Sequence, residues 1–337
     1  MQKIKLGILD QSIVHHGKTA REALQETIAT AKLAEQLGYS RFWVSEHHNS
    51  TFIAGTAPEV MMVKLADETK RIRIGSGGIM LPNHSAFKMA ENFRTLEALF
   101  PGRIDMGIGR APGGDRITAA ILNPSNTFSE ESYIRQLEHL QHFFSDTAGT
   151  QHGPVIAAPQ VSSVPEQWIL SSSGGSSLIA ARFGAGLAVA NFINGTVQPE
   201  VVEIYINNFQ PSPQFPRPKA LIAIGVLCAA TEEKARDMRK FIDFVHLQFE
   251  KGNFQHFGDY DSIRKYQFSP AETERIQQNS GRIVSGTPDY IKEKLTALAG
   301  QFDVDEIIVT TMADRSDDRR HSFELLAEAF ELNIGNS

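Results

Sequence analysis

The stretch FWVSEHHN, residues 42–49, sets an acid and two imidazoles side by side where an apolar run stops. Glu46, His47 and His48 could be metal ligands, an acid/base pair, or polar groups that finish a loop. Metal is the weakest of the three. Neither His-x-His nor His-Glu-x-x-His occurs, and no second carboxylate/histidine cluster offers further ligands. An imidazole titrates near neutral pH, so one histidine beside a reacting molecule can take or return a proton. Side chains alternate along a strand. If that geometry persists through His48, then Trp43, Ser45 and His47 share one face, while Phe42, Val44, Glu46 and His48 share the other. Phe42 and Val44 suit a face packed under helices, which turns His47 the opposite way. His47 is therefore the candidate catalytic residue. Glu46 and His48 are candidates for shaping its loop or supporting it from behind.

Two other stretches have the chemistry of a binding site. SSSGGSS, residues 171–177, puts small hydroxyl residues and two glycines ahead of a helix. Unpaired backbone N–H groups and the positive helix end favour an anion there, and a phosphate is the natural guest. An ordinary serine-capped helix entry is the alternative. Arg110, in GIGRAPGG, would strengthen the phosphate reading, since a guanidinium matches phosphate oxygens. GSGGIM, residues 75–80, breaks a strand with glycines, which marks either close approach of a flat ligand or a bulge. The remaining polar residues have plainer readings. His15, His16 and His152 sit in polar loops, and His139 and His142 on a helix, where solvation suffices. Glu324 and Glu328 read as a wet helix face. The single cysteine, Cys228 in LIAIGVLCAA, can form neither an internal disulfide nor a cysteine metal cluster, and reads as a small buried hydrophobe.

Positioning these residues requires a scaffold, and the periodicity supplies one. Strand-like runs 4–9, 41–45, 71–81, 103–109, 168–170, 186–190, 219–230 and 306–311 alternate with helix-like runs. The first helix spans Thr19–Leu37, opened by a Thr19/Glu22 capping box and stopped by Gly38; Ala20, Leu24, Ile28, Ala31, Ala34 and Leu37 mark one face of it. Further helices fall at about 58–69, 84–99, 130–144, 198–208, 231–248, 288–299 and 317–331, with one more after SSSGGSS through Arg182. Residues 110–129 read as irregular, and 249–283 as an insertion. Eight strand–helix units without a linker favour an α/β TIM (β/α)8 barrel over residues 1–337 as a single domain. A two-domain dinucleotide-binding arrangement is the alternative on pattern alone. It is weakened because GIGRAPGG has proline where the third glycine of that fingerprint falls. In such a barrel the site lies at the C-terminal ends of the strands, where all the candidate residues fall.

The chain has 337 residues, with hydrophobic residues at 41%, charged residues at 21% and a formal net charge of −6. No basic stripe suggests nucleic acid, and no apolar run is long enough for a bilayer. The N-terminal MQKIKLGILD reads as a strand rather than a leader, and a cytoplasmic location is expected.

FW-V-SEHHN, IGSGGIMLPN, GRIDMGIGRAPGG and WILSSSGG…AARFGAGLAV, taken in order, resemble the bacterial luciferase-like flavin monooxygenases. The resemblance runs over nearly the whole chain, is clearest over residues 1–192, and is closest to single-chain bacterial members. It implies a dimeric β/α barrel that holds reduced FMN noncovalently, or in some branches a deazaflavin. The implied FMN chemistry passes one atom of dioxygen to a small-molecule substrate. Carried onto this chain, the resemblance places a non-prolyl cis peptide at Gly77-Gly78 against the flavin ring. It places Arg110 on the flavin phosphate, Ser172, Ser173 and Ser176 in the phosphate loop, and His47 in catalysis. Gly109 stands where the luciferase subunit has a cysteine facing the flavin, and Ser172 where it has an acid. With no dinucleotide fingerprint, reduced flavin is expected from a separate reductase. A dehydrogenase, a non-catalytic flavin binder and a metal-dependent hydrolase are the competing classes. A homodimer is expected from helix 84–99, whose Phe87, Phe93, Leu96 and Leu99 exceed what one packing face needs. Substrate-pocket residues are expected from 110–129 and 249–283. The latter stretch, with Phe254, Phe257, Tyr260, Tyr266 and Phe268, would act as a lid.

Overall fold

The computed structural model describes residues 3–125, 128–253 and 260–332. Short runs rich in apolar residues give β1 (Lys5–Asp10), β2 (Arg41–Val44), β3 (Arg73–Met80) and β4 (Ile104–Gly109), each parallel to the one before. A small antiparallel hairpin follows, β5 (Gly149–Thr150) with β6 (Gly153–Pro154). The parallel order then resumes through β7 (Glu166–Ser171), β8 (Gly186–Ala190) and β9 (Ala220–Cys228). β10 (Ile283–Gly286) pairs with the C-terminal half of β9. β11 (Glu306–Thr310) joins β9 to β1 and closes eight parallel strands into a TIM barrel.

The connections are helical, as parallel pairing demands. The first half carries α1 (Ala20–Leu37), α2 (Pro58–Glu68), α3 (Ala86–Leu99), α4 (Arg116–Leu122), α5 (Glu130–Phe144) and α6 (Ser177–Arg182). The second carries α7 (Asn191–Asn194), α8 (Glu200–Asn208), α9 (Glu232–Glu250), α10 (Tyr260–Lys265), α11 (Pro270–Gln278), α12 (Pro288–Phe302) and α13 (Ser316–Ala329). Thr19 and Glu22 form the expected capping box, and Gly38 ends α1 in the left-handed region at φ 85°. The buried face of α1 is rotated from the expected one. It centres on Ala23, Thr27, Thr30, Ala31 and Ala34, because the Thr27 hydroxyl turns inward to donate to Asp10 Oδ1 at 3.1 Å.

Strand alternation sorts the core into two layers. Leu6, Ile8, Phe42, Val44 and Ile74 face outward under the helices, while Leu9, Trp43, Trp168, Leu221 and Ile308 fill the barrel. Two indoles inside one barrel need room. Glycines in β3 and β8 provide it: a Cβ on Gly75 would lie 2.5 Å from Trp43, and one on Gly186 2.4 Å from Trp168. Below the indoles, charged residues seal the N-terminal end. Arg41 donates to Asp105 at 2.6 Å and to Glu306 at 2.8 Å, Trp43 Nε1 donates to Asp105 at 2.8 Å, and the Arg41 guanidinium lies 4.8 Å from the Trp168 ring centre. The floor is thus closed, and access lies at the other end.

Several segments differ from the sequence expectation. Residues 110–129 contain α4, capped by Asp115, whose carboxylate accepts from Thr118 N at 2.9 Å. Ile117 and Ile121 on it are 74% exposed, so no apolar stripe betrayed it. Within 249–283, α9 runs on to Glu250 and α10, α11 and β10 follow. Cys228 is buried as expected, its thiol pushed up to about 12 by burial. Among the described residues no helix is long and apolar enough to cross a membrane.

The apolar surplus on α3 is mostly spent inside the protein. Phe93 and Leu96 are buried, and Phe87 packs edge-on against Phe143 with ring centres 5.2 Å apart. Leu99 alone of the four stands 57% exposed. The composition of this helix therefore gives no argument for a second copy.

Candidate active site

A cavity of about 630 Å³ opens at the C-terminal ends of the barrel strands. His47, Gly77, Arg110, Ser172, Ser173 and Ser176 all line it, while Gly78, the next residue along β3, does not line it itself but abuts the lining residue Leu170. Residues scattered over 130 positions of sequence meet here because parallel strands present their C-terminal ends together.

Strand alternation holds past the end of β2. Trp43, Ser45 and His47 face the cavity, while Glu46 turns away and is fully buried. The Glu46 carboxylate is a hub. It accepts from Met80 N at 2.8 Å, Asn83 Nδ2 at 3.1 Å, His84 Nε2 at 3.0 Å and His48 Nε2 at 2.8 Å. An ionised carboxylate only accepts, so both imidazoles carry their proton on Nε2. Burial opposes the charge, but these donors and the His84 charge hold Glu46 below the usual carboxylate range. His84 is raised in turn, burial opposing and the Glu46 hydrogen bond prevailing. The arrangement is a hydrogen-bonded clamp: no group of three or more His, Cys, Asp or Glu among the described residues could hold a metal. Its partners tie the loop after β2 to the loop after β3. Asn83 Nδ2 also donates to Pro112 O at 2.9 Å, and His48 N to Gly113 O at 3.0 Å, which adds the loop after β4.

His47 lies between the clamp residues Glu46 and His48 in sequence, and its backbone N–H donates to Gly55 O at 2.9 Å. Its ring makes no hydrogen bond among the described residues. Burial, helped by the neighbouring His48, pushes its pKa below the ordinary imidazole value, while Glu46 acts weakly the other way. A neutral ring facing the cavity can accept a proton.

The neighbouring wall comes from β3, the strand paired with β2. The Gly77-Gly78 peptide is cis. Side chains cannot replace these hydrogens without collision: a Cβ on Gly77 would lie 2.8 Å from Leu9 Cδ1, and one on Gly78 2.7 Å from Gly107 O. At one end of the wall Arg110 reaches the cavity, its Nη1 donating to Glu130 at 2.6 Å. That carboxylate occupies a position suited to any anion, so an arriving phosphate would share or displace it. β7 pairs with β4, Ile108 level with Ile169, so the serine loop begins beside Arg110. Ser171 Oγ accepts from Gly174 N at 3.1 Å and Asn194 Nδ2 donates to Ser172 O at 2.8 Å, which fixes the loop's backbone. Ser176 makes no cap bond to α6, leaving its hydroxyl uncommitted to the helix.

Sequence reasoning missed several lining residues. Phe192 and Ile193 come from α7, a single turn too short to show periodicity, and Met80 from the end of β3. Of the two expected pocket stretches, the first contributes Arg110, Ala111, Pro112 and Phe128. The described part of 249–283 contributes nothing to the cavity. Tyr266 instead packs on Phe244 and Phe268, and Tyr260 sits beside Arg315. Phe254 and Phe257 lie outside the described residues.

Comparison with known proteins fits this architecture. A family model described as luciferase-like monooxygenase matches residues 4–303. An uncharacterized protein of Bacillus subtilis (strain 168), YwcH, is 46% identical over 97% of this chain and 99% of its own. The N-acetyl-S-alkylcysteine monooxygenase of the same organism is 34% identical, covering 97% of this chain and 98% of its own. The crystal structure of apo-MsnO8 superposes with a TM-score of 0.90 at 35% identity, over 98% of this chain and 99% of that one.

Proposed function

We infer the reaction from one premise: this chain belongs to the luciferase-like monooxygenase family and is a flavin-dependent oxidoreductase. We propose that it binds reduced FMN, rather than a deazaflavin, and oxygenates a small organic substrate. The observation that carries this reading is the meeting of His47, the Gly77-Gly78 wall, Arg110 and the serine loop on one cavity. Its volume lies in the range of cofactor pockets. Among the described residues its lining contains no carboxylate, Glu130 pairing with Arg110 from beside it, and a guanidinium and the four serines Ser171, Ser172, Ser173 and Ser176 line it, as a dianionic phosphate needs.

Bound reduced FMN would supply the two electrons with which dioxygen gives one oxygen atom to the substrate and the other to water. This chain's own residues do the rest. Arg110, Ser172, Ser173 and Ser176 hold the phosphate. Gly77 and Gly78 offer a surface with no side chain to keep a planar ring away. His47, neutral at pH 7, takes and returns the proton that the transfer displaces. Leu9, Met80, Phe128, Leu170 and Phe192 exclude water from the reacting atoms. The relative that acts on N-acetyl-S-alkylcysteines makes thioethers the first substrates to try.

Because the sequence lacks a dinucleotide fingerprint, we propose that a separate reductase delivers the reduced flavin. We propose further that it works in the cytoplasm as a homodimer, the dimer resting on the family resemblance rather than on α3. Protein, FMN, NADH and a flavin reductase are incubated under ¹⁸O₂ with a panel of thioethers and ketones. A product carrying one ¹⁸O is expected. Substrate oxidised in the absence of oxygen would turn the reading to a dehydrogenase.

A further inference from the structure

Ten buried side-chain polar atoms among the described residues have no hydrogen-bond partner in the protein, and Ser45 Oγ is the one on a residue that lines the cavity. Others, such as those of Asn83, Glu97 and Gln136, belong to side chains held through a second polar atom. Ser45 has no second atom, and it is 3% exposed. A hydroxyl buried without a partner costs stability. Such a cost is explained if the partner arrives with a ligand.

Its position says where. Val44 pairs with Ser76 in the β2–β3 register, so Ser45 continues the strand beside Gly77. It shares a face with His47 two residues on, roughly 7 Å along the strand. We propose that Ser45 anchors the bound molecule by donating a hydrogen bond to one of its oxygen or nitrogen acceptors, between the glycine wall and His47. The acceptor belongs either to the flavin ring or to a carbonyl-type group of the substrate, and in the flavin case the assignment rests on the function proposed above.

The chain's two tryptophans report on this site directly: Trp43 lines the cavity and Trp168 lies 5.8 Å from it, ring centre to centre. Wild type and Ser45→Ala are titrated with FMN, and separately with 2-octanone, by tryptophan fluorescence, and the empty proteins are melted. Ser76→Ala serves as control, since the Ser76 hydroxyl is buried and donates to Gly107 O at 2.9 Å. Ser45→Ala should melt about 1–3 °C higher than wild type, because it removes an unsatisfied group, whereas Ser76→Ala should melt lower. Ser45→Ala should also bind one probe about three- to tenfold more weakly. Weaker FMN binding assigns the acceptor to the flavin; weaker 2-octanone binding with FMN unchanged assigns it to the substrate. A Ser45→Ala protein that melts lower, or whose affinity for neither probe changes, overturns the proposal. If wild type binds no FMN, the flavin reading fails alone, and the melting and 2-octanone results still decide Ser45.

Discussion

His47 is set apart from its neighbours by what it does not touch. Glu46, His48 and His84 satisfy one another, while the His47 ring makes no hydrogen bond among the described residues and faces the cavity. His47→Ala should therefore lower turnover by about 10²- to 10⁴-fold and leave FMN affinity within a few-fold, read by steady-state rates and fluorescence titration. Burial and His48 depress the His47 pKa, so the acid limb of the pH–rate profile should fall below the ordinary imidazole value near 6.5. Glu46 is the one neighbour raising it, and Glu46→Gln should move that limb to still lower pH. The clamp also sets stability. His84, raised by Glu46, contributes stability that is complete below the ordinary imidazole value and is lost as pH rises through its own. Glu46, lowered, contributes stability present above the ordinary carboxylate value and lost as pH falls through its own. The melting-temperature gap between wild type and His84→Gln should thus be widest between about pH 4.5 and 6.5 and narrow in alkali. Period-two alternation made the orientation of His47 legible in sequence. The partners of Glu46 were not, because Asn83 and His84 lie 37 and 38 residues away and meet it only through the barrel.

The elements that build the site differ in how plainly they announce themselves. β3 is legible as a strand, and its double glycine marks a place where bulk is not tolerated. Gly78→Ala would drive a methyl to 2.7 Å from Gly107 O and 2.5 Å from Leu170 Cδ1. Overpacking of this kind costs about 1–3 kcal/mol. Because Leu170 lines the cavity, FMN binding should weaken together with the melting temperature. α4 and α7 were illegible for opposite reasons. α4 lies on the surface with its isoleucines in solvent, so it has no stripe to detect, and α7 has one turn and no period at all. Yet α7 supplies Phe192 and Ile193 to the cavity and braces the serine loop through Asn194, so the least legible element carries part of the site.

Across the whole molecule the two ends of the barrel have separate tasks. The floor is an ion cluster around Arg41, and the mouth holds the candidate chemistry. Glu306 accepts from Ser40 Oγ at 2.6 Å and from Arg41 Nε at 2.8 Å, far in sequence and in space from the serine loop. Glu306→Gln breaks a buried pair and should cost about 3 kcal/mol in a denaturation experiment. FMN affinity should stay within about twofold, since about 0.4 kcal/mol is all that twofold represents. The barrel itself was legible from eight alternating units, because each parallel strand needs a helical return. What closes over its mouth was not, because loop length and composition do not encode which way a turn folds. On the function we propose, this mouth is a reduced-flavin site that reacts with dioxygen. The decisive measurement is to titrate the protein anaerobically with reduced FMN and then mix it rapidly with air. Tight binding, followed by return of the oxidised-flavin absorbance only after a lag that His47→Ala alters, is the expected result. Failure of reduced FMN to bind, or reoxidation at the rate of flavin in buffer, would contradict it.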